Sequence, residues 1–409
     1  MQRSSGVFYP RRGRLAAVLL LFGVAYFLSL FFRTVNAILA TKLEADLGLD
    51  AASLGLLTAA YFLGLGLTQI PIGLCLDAYG PRRVQAVLLL IAALGIGAFG
   101  LLESVPLLVV ARALIGIGLA GCLVAAYQVS SLWVVPERAP LANGLYLAVG
   151  GLGVLAATTP VEFMMDFMSW RELFVFVAVG TALVAIAVAV VTPDPPMHEA
   201  TSWAERISGL AVVTRNEEFR RYLPMTALCF GTGTAMQGLW ASTWLRDVAG
   251  YDSNAIAWSL TAMALALTVG SAAGGVASVL VERMGFHLTH VVLGNAILFV
   301  AAEIGILLAP LPIAPAFWIL FALTYNAVTL SYAHVARSQP IAFVGRSNTL
   351  MNTAVILTTF ALQYGLGLFL SRTSQWFPER AYSIAIATLM ILQICAIAWC
   401  CWPLLKRRS

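Results

Sequence analysis

A guanidinium in the middle of an apolar run is the first feature of this chain with chemistry in it. Arg33 follows Phe31 and Phe32 and shares a helical face with Ser29 and Asn36. A buried guanidinium can hold an anionic group through charge-assisted, bidentate hydrogen bonds. Placing it away from the membrane surface costs at least about 2.5–3.5 kcal/mol on insertion scales, so either a carboxylate, with Glu162 as one candidate, or a wet cavity must face it. Arg112 lies at a comparable depth in another apolar run. If both arginines reach one cavity, the preferred ligand is an anion. Gln237, Trp240 and Trp244 share a second face, Tyr325 and Asn326 interrupt a third run, and Asn348, Asn352, Thr359 and Gln363 form a stripe on a fourth. Each alone can be interhelical glue; together they could complete a site, with Trp240 and Tyr325 supplying apolar walls with polar tips. Two groups could carry a proton: Glu162, if burial favours its neutral form, and His334, because imidazole changes charge near neutral pH. Glu303, deep in another run, is expected to pair or to snorkel.

The elements that must position these residues are membrane helices. The chain has 409 residues, 60% apolar and 11% charged, with a mean hydropathy of +0.89. That composition defines an all-α polytopic membrane protein, because about 20 apolar residues cross the hydrocarbon as a helix that satisfies its own backbone. The runs are too long and continuous for barrel strands. They fall at Leu15–Leu39, Ala52–Leu74, Val84–Leu102, Pro106–Val134, Ala142–Phe163, Leu173–Val191, Tyr222–Trp244, Ala255–Val281, Leu288–Leu308, Ala314–Val335, Asn348–Leu370 and Ala381–Leu405. These are helices 1 to 12. The first follows Arg11, Arg12 and Arg14 but has no small-residue cleavage site, so it reads as a retained helix rather than a signal peptide.

With both termini in the cytoplasm, 17 of the 24 Lys and Arg residues fall on the cytoplasmic side and five, Lys42, Arg171, Arg246, Arg372 and Arg380, on the other. This is the positive-inside asymmetry of an inner-membrane protein. The formal charge of +5 then belongs to topology, and no nucleic-acid partner is expected. The chain divides into a six-helix bundle at 1–192, a cytoplasmic linker at 193–220 and a second six-helix bundle at 221–409. Trp203, Ile207, Leu210 and Ala211 recur at helical spacing in the linker, with Glu205, Arg206 and Arg215 largely elsewhere, the pattern of a helix lying on the membrane surface. The six cysteines show no C-x-x-C spacing and read as small packing residues. Met164, Met165 and Met168 read as interfacial filler rather than a soft-metal site, so no metal and no cofactor are expected. No P-loop, nucleophile elbow or H-E-x-x-H is present, which leaves ATP-driven transport and hydrolysis without a sequence basis; the protein is not read as an enzyme.

Between helices 2 and 3 lies a charged turn, Gly73 to Arg83, carrying Asp77, Gly80, Arg82 and Arg83. A weaker copy, Glu282-Arg283-Met284-Gly285, follows the second helix of the later bundle and again sets a carboxylate three residues before a glycine. The chain therefore looks like a duplicated six-helix unit, and two such halves with a site between them are a transporter architecture.

These residues resemble the major facilitator superfamily. Gly73, Asp77, Gly80, Arg82 and Arg83 are similar to its loop motif, with Cys75-Leu76, Ala78 and Pro81 as departures, and Arg112, Gly116, Gly118, Trp170, Arg171 and Phe174 are similar to its patterns in helices 4 and 6. The resemblance implies two pseudo-symmetric bundles, helices 1, 4, 7 and 10 around a central cavity, alternating access, and loops, including Glu282 and Arg283, that hold the cytoplasmic side closed. Asp77 could face the N-terminus of helix 11 near Ser347, where free N–H groups favour an anion; a plain orientation signal made by Arg82 and Arg83 is the alternative. Arg112 in this role serves packing or proton coupling. Helix 5 lacks the Gly-Pro dipeptide of many drug antiporters in the family, which leans toward uptake. The expectation is a monomeric, proton-coupled uptake transporter in the lipid bilayer for a small organic anion held by Arg33, Asn36 and Arg112 with Gln237, Trp240, Tyr325 and Asn326. The alternatives are a proton-antiport exporter of drugs or amphipathic metabolites and a membrane sensor that keeps the fold without transport.

Overall fold

The computed structural model describes residues 12–194, 211–340 and 343–406, and every regular element among them is a helix. Among the described residues, ten helices are long and apolar enough to cross a membrane. One of these, Ala51–Leu101, contains two crossings, helices 2 and 3. The seventh crossing, Glu217–Ala235, a π-turn at Met236–Trp240, and Ala241–Asp247, lies outside the ten because its Thr, Gly, Ser and Gln residues make it less apolar than the others. The twelve expected helices are therefore present, six in each half. The remaining crossings are helix 1 (Arg12–Leu47), helix 4 (Val105–Leu119 and Cys122–Trp133), helix 5 (Ala139–Ala156 and Thr159–Met164) and helix 6 (Trp170–Val191). In the second half they are helix 8 (Ser253–Arg283), helix 9 (Leu288–Leu308), helix 10 (Ala314–Tyr325, a 3₁₀ turn at Asn326–Thr329, and Leu330–Arg337), helix 11 (Val344–Trp376) and helix 12 (Ala381–Lys406). With twelve crossings, the first and last described residues lie at one end of the bundle, called here the terminal end.

Several helices run further than their apolar stretches. Helix 1 continues to Leu47 instead of ending at Leu39, because partners receive its polar end: Lys42 binds Glu162 at 2.9 Å and Asp46 accepts from Trp170 Nε1 at 2.7 Å. The stretch from Gly73 to Arg83, expected as a turn, is helical on both sides of a single left-handed residue, Gly80, with φ 77°. Pro81 immediately after it has no N–H to lose and starts helix 3 with a suitable φ. Helix 5 is interrupted at Ala157–Thr158, before Pro160. Most of the expected linker helix, 195–210, lies outside the described residues; within them Asn216 caps helix 7, accepting from the Phe219 N–H at 3.0 Å.

The halves repeat each other in backbone detail. Gly80 and Gly285 (φ 82°) end helices 2 and 8; Gly48 (φ 62°) and Gly250 (φ 70°) precede Asp50 and Asp252, which cap the starts of the same two helices. Close packing repeats as well. A Cβ on Gly64 would sit 2.2 Å from the Ala113 carbonyl oxygen in helix 4, and one on Gly270 would sit 1.8 Å from that of Leu323 in helix 10. Helices 2 and 4, and helices 8 and 10, thus touch backbone to backbone, the contact that small residues allow between membrane helices. Gly116→Val should abolish well-folded protein, measured as loss of the monodisperse peak in size-exclusion chromatography, since its Cβ would overlap the Tyr61 carbonyl oxygen at 2.0 Å. Gly80→Ala, forced into a backbone region (φ 77°, ψ 164°) that only glycine adopts freely and strained by about 1–3 kcal/mol, should lower the melting temperature. Gly73→Ala, with nothing within 4 Å of its new Cβ, should not.

Candidate functional site

A cavity of about 600 Å³ lies between the halves, in the middle and terminal half of the bundle. Helix 1 contributes Tyr26, Ser29, Arg33 and Thr34, helix 2 Gln69, and helix 4 Tyr127; helices 7, 8, 10 and 11 contribute Gln237, Ser271, Tyr325, Asn326, Tyr332 and Asn352. The helix breaks expose these groups. The π-turn carries Gln237, and the 3₁₀ turn begins at Asn326. Tyr325 Oη donates to Gln237 Oε1 at 2.6 Å, and Asn326 Nδ2 donates to Ser271 Oγ.

Arg33 is the charged residue of this lining. Its guanidinium carbon lies 6.0 Å from the Phe62 ring centroid. Among the described residues no carboxylate comes within ion-pair distance of it, and its Nε is buried without a hydrogen-bond partner. Gln237 Nε2, in the same lining, is likewise a buried donor without a partner. Helices 1 and 7 touch here, since a Cβ on Gly238 would sit 3.3 Å from the Arg33 carbonyl oxygen. Two residues that each carry an unsatisfied buried donor, one of them cationic, therefore line the same space. Unpaired buried donors carry a desolvation cost of about 1–3 kcal/mol each, more for charge, until an acceptor arrives.

Four of the seven residues singled out as ligand contacts, Arg33, Gln237, Tyr325 and Asn326, line this cavity. The other three do not. Arg112 is fully buried, its Nη2 donating to the Phe32 carbonyl at 2.8 Å and its guanidinium carbon lying 5.7 Å from the Tyr61 and 5.6 Å from the Phe99 ring centroid. Asn36 is turned to Thr58, at 3.0 Å, and Trp240 donates to the Gln363 carbonyl at 3.2 Å. Their helical positions put them near the centre, but the rotation of each helix directs them into packed seams. Glu162 pairs with Lys42 rather than Arg33. His334 lies one turn beyond the cavity residue Leu330, with Nε2 3.1 Å from Glu218 and its ring against Tyr222. Glu303 is buried, accepting from Gln393 Nε2 at 3.0 Å. Tyr26, Gln69, Tyr127, Ser271 and Tyr332 were missed. Tyr26 could have been found from its spacing of seven from Arg33; the others carry no signal beyond polarity.

The end opposite the termini is closed by contacts across the halves. Arg246 of helix 7 bonds Glu44 of helix 1 and also Asp247, which accepts from Tyr382 at 2.9 Å. Thr261 of helix 8 bonds Thr159 and Thr158 of helix 5 at 2.7 and 2.8 Å. Helices 2 and 11 meet at Gly55 and Gly367, where a Cβ on Gly367 would lie 2.5 Å from the Ala51 carbonyl oxygen. Hydrogen bonds from Ser53 hold the Asp50 carboxyl below the usual carboxylate range, leaving it charged to accept from Ser371 at 3.1 Å. At the terminal end Arg82 pairs with Asp194, at the start of the linker, at 2.8 Å, Arg83 lies 3.9 Å from the same carboxylate, and Glu282 pairs with Arg337 within the second half. Asp77 and Arg283 are exposed there.

Twelve crossings in two repeated bundles, with a cavity between them that carries Arg33 and several polar side chains and is closed at one end, define a multi-pass membrane protein of the transporter type. The sequence model of the Major Facilitator Superfamily matches residues 22–361, and the chain belongs to that family. It is similar to the "Probable sulfoacetate transporter SauU" of Cupriavidus necator, 26% identical over 62% of this chain and 62% of that one. It is also similar to the "Probable L-galactonate transporter" of Escherichia coli, 27% identical over 46% of this chain and 40% of that one. The chain thus spans less than two thirds of the length of these relatives. In structure it resembles a bacterial homologue of the human lysosomal transporter Spinster, with a TM-score of 0.77 at 18% identity over 96% of this chain and 97% of that one.

Glu44→Gln or Arg246→Gln should loosen the closed end. A partly exposed pair is worth up to about 1 kcal/mol, roughly fivefold in an equilibrium. In a background without native cysteines, an impermeant thiol reagent applied from the non-terminal side should therefore modify Gln237→Cys up to about fivefold faster.

Proposed function

We propose that this protein is a secondary active transporter that takes up a small organic anion together with a proton, by alternating access. The observation that carries the reading is the unpaired guanidinium of Arg33 in the lining of a cavity between the halves. An anionic substrate would supply the missing acceptor, with Gln237 Nε2 as a second donor and the Tyr325 and Asn326 side chains completing the polar rim. The names of similar proteins support an anion: sulfoacetate, L-galactonate, and nitrate or nitrite for a transporter of Picosynechococcus sp.. Asn36, Arg112 and Trp240 move in this reading from ligand contacts to the framework that fixes helices 1, 4 and 7.

Alternating access then requires the two ends to close in turn. Glu44, Arg246, Thr159 and Thr261 hold the non-terminal end here, and Asp77, Arg82, Arg83, Glu282 and Arg283, beside the turns made by Gly80 and Gly285, would re-pair across the halves when the terminal end closes. Substrate must bind both states through the same residues, and protonation must bias which loaded state forms. His334, sharing Glu218 near the cavity mouth, is the proton carrier of this reading, while Glu162 is held by Lys42 at the opposite end. The terminal end is taken as cytoplasmic on the distribution of Lys and Arg.

In purified protein, organic anions should raise the melting temperature where amines and neutral solutes do not, because a ligand stabilises the state it binds. Arg33→Ala should weaken that binding by roughly 10- to 150-fold, the value of a charge-assisted hydrogen bond, and abolish uptake in proteoliposomes, with Arg33→Lys recovering part of it. Flux of lipophilic cations that is indifferent to Arg33→Ala would favour an exporter instead. His334→Gln should retain substrate counterflow while losing uptake driven by a pH gradient; unchanged gradient-driven uptake would remove His334 from the coupling.

A further inference from the structure

A second cavity, of about 420 Å³, opens on the terminal face where helix 7 begins and helix 12 ends. It is lined by Arg215, Glu217, Arg220, Arg221, Trp399 and Trp402, three guanidiniums against one carboxylate. Arg221 is 9% exposed. Its Nε donates to the Cys400 carbonyl at 2.6 Å, tying the two helices together, and its Nη1 lies 3.4 Å from Glu218. Its Nη2 is buried with no partner among the described residues. Arg220 is held by the Thr214 and Arg215 carbonyls at 3.0 and 2.9 Å, and the Arg215 side chain is exposed. The pocket is thus preformed, electropositive and left with an unsatisfied donor.

The walls say what kind of anion fits. Trp399 and Trp402 are 60% and 58% exposed, at the end of a membrane helix, where indoles sit at headgroup level. Ile391, Cys395, Trp399 and Trp402 follow at spacings of four, four and three, one face of helix 12, and all four are exposed. An apolar track therefore leads from the charged pocket along the membrane-facing side of helix 12. A soluble anion would use the arginines and leave the track idle; an amphipathic one would use both. We propose that this pocket binds the headgroup phosphate of an anionic phospholipid, whose acyl chains lie along the Ile391–Trp399 face. Basic pockets between membrane helices recognise such headgroups by charge. A lipid seated here bridges the first helix of the second half to its last.

The test is native mass spectrometry of the full chain with phosphatidylglycerol and phosphatidylcholine of identical acyl chains. Phosphatidylglycerol should be retained preferentially. Arg215→Gln should weaken its binding roughly fivefold, and Arg215→Gln with Arg220→Gln on the order of 25-fold, at about one such factor per surface arginine. Arg372→Gln, at the opposite end of the molecule, should leave it unchanged. Melting temperature without added lipid checks that the variants are folded, and Arg215→Gln, whose side chain supports nothing else, carries the test if the double variant is not. Equal retention of phosphatidylcholine, unchanged binding in the folded Arg215→Gln protein, or equal loss in Arg372→Gln would overturn the proposal. Displacement of phosphatidylglycerol by millimolar inorganic phosphate would also overturn it, in favour of a site for a free anion.

Discussion

A charge inside hydrocarbon must be given water, a counter-ion or a ligand, and the arrangement of the two halves turns on that constraint. Arg33 sits in the middle of helix 1, and no carboxylate from the surrounding helices reaches it among the described residues. The polar side chains of helices 2, 7, 8, 10 and 11 gather in the same space, while the outward faces stay apolar, with residues such as Leu94, Phe176 and Leu308 largely exposed. A cavity between bundles is the arrangement that keeps the guanidinium out of lipid without neutralising it. Arg112 meets the same constraint differently, by a carbonyl and two aromatic rings. One arginine is thereby consumed by packing and the other is left available.

Movement between states needs rigid units and a breakable seam. Inside each half the seams are tight, with backbone contact of helix 2 on helix 4 and of helix 8 on helix 10, and such contacts resist deformation because packed interiors are bistable rather than elastic. Between the halves, at the closed end, the bonds are of another kind: a partly exposed ion pair, two threonine hydroxyl contacts and a serine on a cap carboxylate. Each is worth about 1 kcal/mol or less. Opening that end must break these weak polar contacts and separate helices 2 and 11 where their backbones meet at Gly55 and Gly367.

Much of this was legible in the chain. Twelve apolar runs gave the crossings, because hydrocarbon thickness acts on each run by itself. The carboxylate-to-glycine spacing at Asp77–Gly80 and Glu282–Gly285 gave the repeat, and the left-handed conformation of both glycines gives the reason. Helix ends were less legible. Lys42, Glu44 and Asp46 look like a loop until their partners, on helices 5, 7 and 6, are placed beside them.

The sequence by itself determined the membrane class, the crossings, the duplicated plan and the presence of a costly buried charge at Arg33, since these follow from local composition and from the price of burying a polar group. Only the tertiary structure decided which polar residues share a cavity. Gln237 and Trp240 lie three residues apart on one helix, yet one lines the cavity and the other packs against helix 11. Arg33 and Arg112 are equally deep, yet only one meets open space. Those outcomes depend on helix rotation and on contacts between residues more than 200 positions apart, such as Glu44 and Arg246 or Asp50 and Ser371, and no window of sequence contains both partners.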